Sequence, residues 1–247
     1  MQKLPVYIVA TAALTLSPQV LADTFFGVYL GGGIWQHQFD GTAGEPAISL
    51  NELGAKDTND SFYYLALEHP VPLVPNVRLQ RTNVSHSQSA VITQSFALND
   101  ITFDVDTQVD SDFDLGHTDL TLYYQLLDNW VNVDFGLTVR HFDGYARASS
   151  ETLTSSEKLD ELIPLAYLHA QFDLPLTGFS LGLSGQGISY SDSRVTDMDV
   201  YLRYTLDSAM DIAVNLGYRS LALRLDEKEI QADVELDGPY AGILLHF

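Results

Sequence analysis

The sequence predicts an all-β protein, a transmembrane antiparallel β-barrel of about ten strands that follows a cleaved signal peptide. Three observations support this fold class. Apolar side chains recur at every second position in blocks of about ten residues, and turn residues bound each block. No block after the N-terminal segment approaches the ~20 consecutive apolar residues of a transmembrane helix. Stretches with the period of an amphipathic helix are also missing.

Residues 1–22 have the pattern of a secretory signal peptide. A cationic start at Lys3 precedes an apolar run, and the small residue Ala22 stands just before Asp23. The alternative is an N-terminal membrane anchor, but the break at Ser17-Pro18 leaves the apolar run too short to span a bilayer. We therefore expect a signal peptide at 1–22 and a barrel domain at 23–247.

Ten predicted strands follow, each defined by a row of lipid-facing side chains at alternate positions. The first five rows are Phe26, Val28, Leu30 and Ile34; Tyr63, Leu65 and Leu67; Val77 and Leu79; Leu120, Leu122, Tyr124 and Leu126; and Val131, Val133, Phe135, Leu137 and Val139. The other five rows are Ala166, Leu168, Ala170 and Phe172; Phe179, Leu181 and Leu183; Met198, Val200, Leu202, Tyr204 and Leu206; Ile212, Val214, Leu216 and Tyr218; and Ala241, Ile243, Leu245 and Phe247.

The connections between these strands alternate in length. Joins after the second, fourth, sixth and eighth strands are short, whereas the others are mostly longer and rich in acidic residues. Outer-membrane barrels have short periplasmic turns and long external loops, so this pattern predicts the bacterial outer membrane. Residues 87–112 also alternate, which favours an extension of the third and fourth strands beyond the membrane as a long hairpin.

The C-terminal strand carries a possible assembly signal. A barrel has no free edge only if its last strand pairs with its first. The spacing of Tyr240, Gly242, Leu245 and Phe247 resembles the terminal signal that the barrel assembly machinery reads. A soluble secreted β-sandwich is the alternative, but its outward rows would carry more polar residues.

The turn after the fourth predicted strand places one charge pair in the lumen. Pairing Leu126 with Val133 puts Tyr124 opposite Phe135 on the lipid face. The same register carries Asp119 to a lumen position opposite Arg140.

The turn after the eighth strand places a second pair. Pairing Leu206 with Ile212 carries Asp199 to a position opposite Arg219. Both pairs predict a filled, polar lumen in which opposite charges satisfy each other. A role in solute binding is the alternative interpretation.

One charged residue conflicts with the predicted lipid face. Arg81 has outward parity, where a charge near the bilayer midplane would cost roughly 2 to 4 kcal/mol. Either Arg81 lies high enough to reach lipid phosphates beside Tyr63, its predicted cross-strand neighbour, or a bulge shifts the register after Leu79.

Composition argues against several partners. The chain has 12 Lys and Arg against 33 Asp and Glu, a net charge of −21, which argues strongly against nucleic acid or an anionic bilayer surface as a partner, since both need a basic patch. With no cysteine, the chain has no disulfide and no thiolate ligand or nucleophile. The expected partners are outer-membrane lipid and lipopolysaccharide, whose phosphates could share divalent cations with the acidic loops. Solvated loop charge is the simpler alternative.

An enzymatic role at the external rim is the alternative function, either protease or lipase. His86, His117 and His141 lie near the expected outer ends of strands, with Asp119 and Asp143 close in sequence. Chance produces such neighbours in an acidic protein, and no HExxH metal spacing occurs. We therefore predict a monomeric, non-enzymatic barrel with no catalytic residue, metal or cofactor.

Several sequence stretches carry a family resemblance: the glycine run at Gly31 to Gly33 followed by IW, then LEHPVPLVPNVRLQ, HTDLTLYYQLLDNWV, GLTVRHFDG, FDLPLTG and DGPYAGILLHF. In these stretches the chain resembles an uncharacterised Gly-Gly family of outer-membrane β-barrel proteins. The resemblance implies a barrel and a location but no activity. The predicted role is structural, or narrow passage or binding of small solutes.

Overall fold

A computed structural model describes residues 26–191, 193–206, 210–226 and 231–247. The predicted signal peptide lies outside the described residues. No helix within these ranges is long and apolar enough to cross a membrane.

Ten long strands form the wall. They are β1 (Gly27–Ala43), β2 (Thr58–Glu68), β3 (Asn76–Thr82), β4 (His117–Asp128), β5 (Val131–Ser149), β6 (Thr154–Asp173), β7 (Phe179–Tyr190), β8 (Ser193–Leu206), β9 (Asp211–Asp226) and β10 (Gln231–His246). Each strand pairs antiparallel with the next, and β10 pairs with β1. The predicted ten-stranded antiparallel barrel is confirmed.

The seam between β1 and β10 closes the sheet. The amide of Phe247 donates to the carbonyl of Val28 at 3.0 Å, and the amide of Val28 donates back at 3.3 Å. Gly33 lies opposite Gly242, where a Cβ on Gly33 would come within 2.4 Å of a backbone oxygen, so only glycine fits there. The expected pairing of the last strand with the first is confirmed. Recognition of the C-terminal residues by assembly machinery stays a prediction.

The outward apolar rows form a continuous band, here called the belt. Its side chains are exposed to the surroundings, as at Leu30, Leu137 and Leu216. Outward aromatic rings lie towards the short-turn end, where Phe179 packs on Tyr204 at 4.8 Å, and at the opposite border, at Tyr63 and Tyr218. An apolar band about 25 Å tall with aromatic rings at its borders is the surface that membrane barrels present to lipid.

The belt ends where Gln36, Arg81 and His141 face outward. Arg81 pairs with its expected neighbour Tyr63 in unbroken register, so of the two alternatives the bulge after Leu79 is wrong. The Nη1 atom of Arg81 lies 2.6 Å from Oδ1 of Asp143, also on the outer surface. A charged partner at the edge of the belt therefore resolves the conflict seen in the sequence.

Two connections at the far end of the barrel are long, namely 44–57 and 83–116, as predicted. The expectation of longer loops after the fifth, seventh and ninth strands is wrong, because β6, β8 and β10 each begin within five positions of the end of the strand before them. The strands instead continue well past the belt. Their acidic side chains there lie on the outward face of the sheet, as at Asp233 and Glu235.

The predicted hairpin extension is confirmed. Residues Ser85–Val91 pair with Gln108–Asp114 in the same register that joins β3 to β4, with an interruption at 83–84 and 115–116. The second of these segments also pairs with the end of β5. The tip of the hairpin, residues 93–106, contains a small two-stranded sheet and is here called the lid. The lid forms an isolated bridge with Glu45, so it joins the two long connections across the mouth.

Candidate functional site

Charged side chains meet inside the barrel at the level where the belt ends. Arg140 lies opposite Asp119, the register expected from the sequence. Its Nε and Nη2 atoms donate to the two carboxylate oxygens of Asp119 at 2.8 and 2.7 Å, a bidentate pair. Leu127, not Leu126, lies opposite Val133, because a bulge between Val133 and Asp134 absorbs one residue before the regular register begins.

The second predicted pair has a different partner. Arg219 lies opposite Asp199, as expected, but donates to both carboxylate oxygens of Asp197 at 2.8 and 2.7 Å. Asp199 instead accepts hydrogen bonds from Ser184 and Tyr240. The long arginine side chain reaches the diagonal neighbour, so the predicted ion pair between Asp199 and Arg219 is corrected to Asp197 and Arg219.

These four residues, Asp119, Arg140, Asp197 and Arg219, form what we call the ion layer. Arg140 also donates to Asp197 at 2.6 Å, which joins β5 to β8 across the lumen. Arg219 reaches Thr82 of β3 at 3.4 Å from the opposite side of the barrel. All four side chains are buried, with 0% of the Arg140 side chain exposed. The layer therefore spans the lumen and carries no net charge.

Trp35 packs beside the ion layer. The guanidinium carbon of Arg219 lies 4.8 Å from the centroid of its ring, and the ring nitrogen donates to the carbonyl of Gly238 at 3.2 Å. An aromatic face stabilises a desolvated guanidinium. The indole thus fills part of the cross-section that the charged groups leave open.

One group of side chains, formed by His117 and the two carboxylates of the ion layer, has the composition of a metal site. Ligand atoms of His117, Asp119 and Asp197 lie within 4.8 Å of one another, and Nε2 of His117 has no hydrogen-bond partner among the described residues. However, both carboxylates already accept hydrogen bonds from arginine. A divalent cation would have to displace those guanidinium groups, so the arrangement does not favour a metal.

A polar cavity of about 200 Å³ extends from the ion layer towards the short turns and is here called the vestibule. His169 bridges Asp134 and Tyr201, with both nitrogen–oxygen distances at 2.8 Å. Near the short-turn end, Glu68 accepts hydrogen bonds from Tyr123 at 2.7 Å and Gln125 at 3.0 Å. These networks line the lumen behind the lipid-facing belt.

Glycines give the vestibule tyrosines their place. Tyr64 lies opposite Gly31, and Tyr201 lies opposite Gly182. A Cβ on Gly31 or Gly182 would come within 2.4 or 2.2 Å of the facing ring. The rings therefore lie flat on the wall over bare backbone, which is what keeps the vestibule from being filled by its own side chains.

The interior beyond the ion layer is apolar. The upper parts of the strands, the 44–57 connection and the hairpin with its lid together form what we call the cap. Its buried cluster includes Phe39, Ile48, Ile92, Phe103 and Val109. A second cavity of about 590 Å³, here called the cap cavity, lies in this region.

The histidines of the alternative enzymatic interpretation do not converge. His117 is buried and its Nδ1 lies 3.0 Å from the carbonyl oxygen of Leu115. His141 faces outward, with Nε2 3.0 Å from Asp160. His86 lies in the cap, where Nε2 accepts the amide of Lys56 at 3.3 Å. They therefore occupy opposite faces of the wall and two levels of the barrel.

The sequence-based reasoning missed the apolar interior of the cap. In β9, Leu221 and Leu223 keep the inward parity of Arg219, which lies earlier in the strand. In β10, Val234 and Leu236 share the inward parity of Tyr240, which lies later in the strand. The signal was present in the stretch DVELDG at 233–238, where apolar residues alternate with acidic ones. Extending the lumen parity through this stretch would have predicted an apolar interior with an acidic exterior.

The chain matches no protein-family model, and no curated protein is similar to it in sequence. Solved structures of similar shape include the outer membrane protease OmpT from Escherichia coli, with 11% identity, a TM-score of 0.45, and coverage of 96% of this chain and 100% of that chain. A FadL homologue from Pseudomonas aeruginosa has 8% identity and a TM-score of 0.34 over 90% of each chain. The CymD monoaromatic hydrocarbon channel has 10% identity and a TM-score of 0.33 over 78% of this chain and 53% of that chain. All are membrane-barrel proteins at distances too great to indicate an activity.

Proposed function

We propose that this protein is a sealed barrel of the bacterial outer membrane with a non-enzymatic role, either structural or in binding small solutes at the cell envelope. The single observation that supports this proposal most is the ion layer. Its hydrogen bonds cross the lumen from β5 to β8 and from β9 to β3, and its side chains are buried. Free diffusion through such a cross-section would require breaking several charge-assisted bonds.

The cap supplies a second seal in series. Ile92 and Phe103 are fully buried between the hairpin, the lid and the 44–57 connection. Backbone bonds between Ala97 and Glu45, at 3.0 and 3.1 Å, tie the lid to that connection. Water or ions entering from this end would therefore meet packed apolar side chains before they meet the ion layer.

The proposed orientation places the cap outside the cell, because outer-membrane barrels turn their long connections outward. Arg81, His141 and Lys158 lie on the outer surface near the edge of the belt, each beside a carboxylate. These side chains suit contact with lipopolysaccharide headgroups at that level. The barrel is monomeric, and its C-terminal strand is read by the assembly machinery.

Conductance in planar bilayers tests the two seals. The ion-layer variant is Arg140→Ala/Arg219→Ala. The lid variant replaces residues 94–105 by Asn-Gly, which keeps the hairpin register because Ile92 exchanges backbone bonds with Thr107 and Asp106. We expect the wild type and each variant alone to stay closed, since one seal remains in each. The combined variant should conduct with cation selectivity, because Asp119 and Asp197 then face water unpaired.

A wild-type protein that already conducts as a wide pore would contradict the proposal. A combined variant that folds but stays closed would also contradict it, because the barrier would then lie in neither seal. Turnover of peptide or lipid by the wild-type protein, lost in His86→Ala or His141→Ala, would favour the alternative rim enzyme.

A further inference from the structure

The cap cavity has the size and the lining of a pocket for a small molecule. Its volume of about 590 Å³ falls within the range of pockets that enclose small molecules, roughly 300 to 1,000 Å³. Three buried apolar side chains line it, Phe39, Leu223 and Val234, and are here called its floor. Packed interiors contain few voids larger than a water molecule, so a cavity of this size beside the buried cluster of the cap has room for a bound molecule.

The lid forms one side of the cavity and is held there by specific bonds. Leu98 and Asn99 both line the cavity. The carbonyl of Leu98 accepts a hydrogen bond from the hydroxyl of Ser155 at 2.8 Å, and the side-chain Nδ2 of Asn99 donates to Oε2 of Glu157 at 2.9 Å. The backbone of Ala97 is tied to Glu45 on the other side. This side of the cavity is therefore held in place by hydrogen bonds to two separate elements, β6 and the 44–57 connection.

The charged residues that line the cavity disfavour the binding of anions. Glu45, Asp100 and Glu157 line the cavity together with the single cation Lys158. The whole chain carries a net charge of −21, so an approaching carboxylate or sulfonate is repelled. A charged group of either sign would also lose its hydration against the apolar floor without a buried partner. The lining thus suits an uncharged molecule with mostly apolar surface.

We infer that the cap cavity binds a small, uncharged, predominantly apolar molecule that enters from the cap side. This inference goes beyond the sealed barrel and does not depend on it, because binding in the cap and conductance through the lumen are measured separately.

The probe for a test is N-phenyl-1-naphthylamine, an uncharged aromatic amine that fluoresces in apolar sites. Its sulfonated relative 8-anilinonaphthalene-1-sulfonate has the same aromatic skeleton with a negative charge. The full barrel is placed in lipid nanodiscs, and fluorescence in empty nanodiscs is subtracted. We expect saturable binding of the amine at about one site per barrel, and at least about tenfold weaker binding of the sulfonate.

Two variants locate the binding. Ala146→Phe adds a ring to the cavity wall, and the Asn-Gly lid variant removes Leu98 and Asn99 from it. Each should weaken amine binding at least about tenfold. The matched control is Ala166→Phe, the same substitution at an exposed lipid-facing position, which should leave binding unchanged.

Absence of a saturable component above empty nanodiscs would overturn the inference. So would equal binding of the amine and the sulfonate, or retention of amine binding in both cavity variants. The two variants act differently, one by filling the cavity and one by opening it, so a folding defect in one leaves the other as the test.

Discussion

The two halves of this barrel have opposite polarity although the same strands build both. Between the short turns and the ion layer, apolar side chains face outward and polar ones line the vestibule. Beyond the ion layer, acidic side chains face outward and apolar ones fill the cap. The first half matches a protein in lipid, and the second matches a protein in water. Alternation therefore defines the two faces of a strand, while the surrounding solvent decides which face is apolar.

The ion layer lies at the boundary between these halves. Arg140 precedes the outward residue His141, at the edge of the belt, and Asp197 ties the two arginines together. At this level the inward side chains change from the polar ones of the vestibule to the apolar ones of the cap. A neutral set of paired charges is compatible with both neighbours, since it satisfies its own hydrogen bonds.

The largest expected effect comes from breaking this boundary. Arg140→Ala leaves the buried carboxylate of Asp119 without its bidentate partner. The free energy of unfolding in lipid vesicles, measured by urea titration, should fall by about 3 to 5 kcal/mol. The control Arg147→Ala removes the same side chain from an outward position on the same strand and should change stability by less than about 0.5 kcal/mol.

A second variant separates lost charge from lost bulk. Asp119→Leu/Arg140→Met removes both charges and leaves Asp197 paired with Arg219, so it should cost less than Arg140→Ala alone. Equal losses for Arg140→Ala and Arg147→Ala would mean that the ion layer does not stabilise the boundary.

A smaller, local effect is expected in the cap. Phe103→Ala removes a ring that is 0% exposed, at a cost of roughly 3 kcal/mol. Because the lid is a separate small sheet, we expect this loss to appear as faster cleavage of residues 93–106 by proteinase K, by up to about a hundredfold. The barrel below should stay intact on a denaturing gel.

The control for the cap is Phe135→Ala, the same truncation on the lipid face of the belt. It should leave cleavage of the lid unchanged. Equal cleavage in both variants would show that lid and belt do not behave as separate regions.

The smallest expected effect is a pH dependence confined to the cap. Burial lowers the pKa of His86 below its ordinary value near 6.5, so the folded cap favours the neutral imidazole that accepts the amide of Lys56. The stability this provides is complete above pH 6.5 and declines as pH falls below it, because the opened cap then binds a proton that the closed cap resists. Hydrogen exchange of the Lys56 amide, corrected for its intrinsic rate, should lose protection in that range.

His86→Asn provides the comparison, since its amide oxygen can accept a hydrogen bond but does not titrate. Protection of Lys56 should then vary less with pH. An unchanged pH profile in His86→Asn would assign the effect to other groups in the cap.

The sequence predicted those features that depend on parity and turns. Alternation counted outward from the short turns gave the ten strands, their lipid-facing rows and the extended hairpin. It also gave the positions of Asp119 opposite Arg140 and of Asp199 opposite Arg219.

Other features depend on side-chain reach and on solvent, which parity does not encode. Arg219 prefers a diagonal carboxylate, Asp197, because its own length and the competition of Ser184 and Tyr240 for Asp199 decide the pairing. The sequence did not predict the apolar cap, because inward positions were expected to be polar along the whole strand, as they are in the membrane half. The position of the lid depends on contacts with residues far away in the chain, such as Ser155, which no local sequence pattern predicts.

The ion layer also bears on the order in which the barrel is built. Arg219 and Thr82 are 137 positions apart, and Arg140 and Asp197 are 57 apart, whereas the cap hairpin joins residues that are close in the chain. Contacts of such separation gain no energy until the intervening strands are in place. A partly assembled sheet can already pair Arg140 with Asp119 and Arg219 with Asp197, because these residues lie on neighbouring strands. The bonds from Arg140 to Asp197 and from Arg219 to Thr82 form only when the barrel closes. The cross-lumen bonds of the ion layer therefore stabilise the closed barrel and contribute nothing to its incomplete precursors.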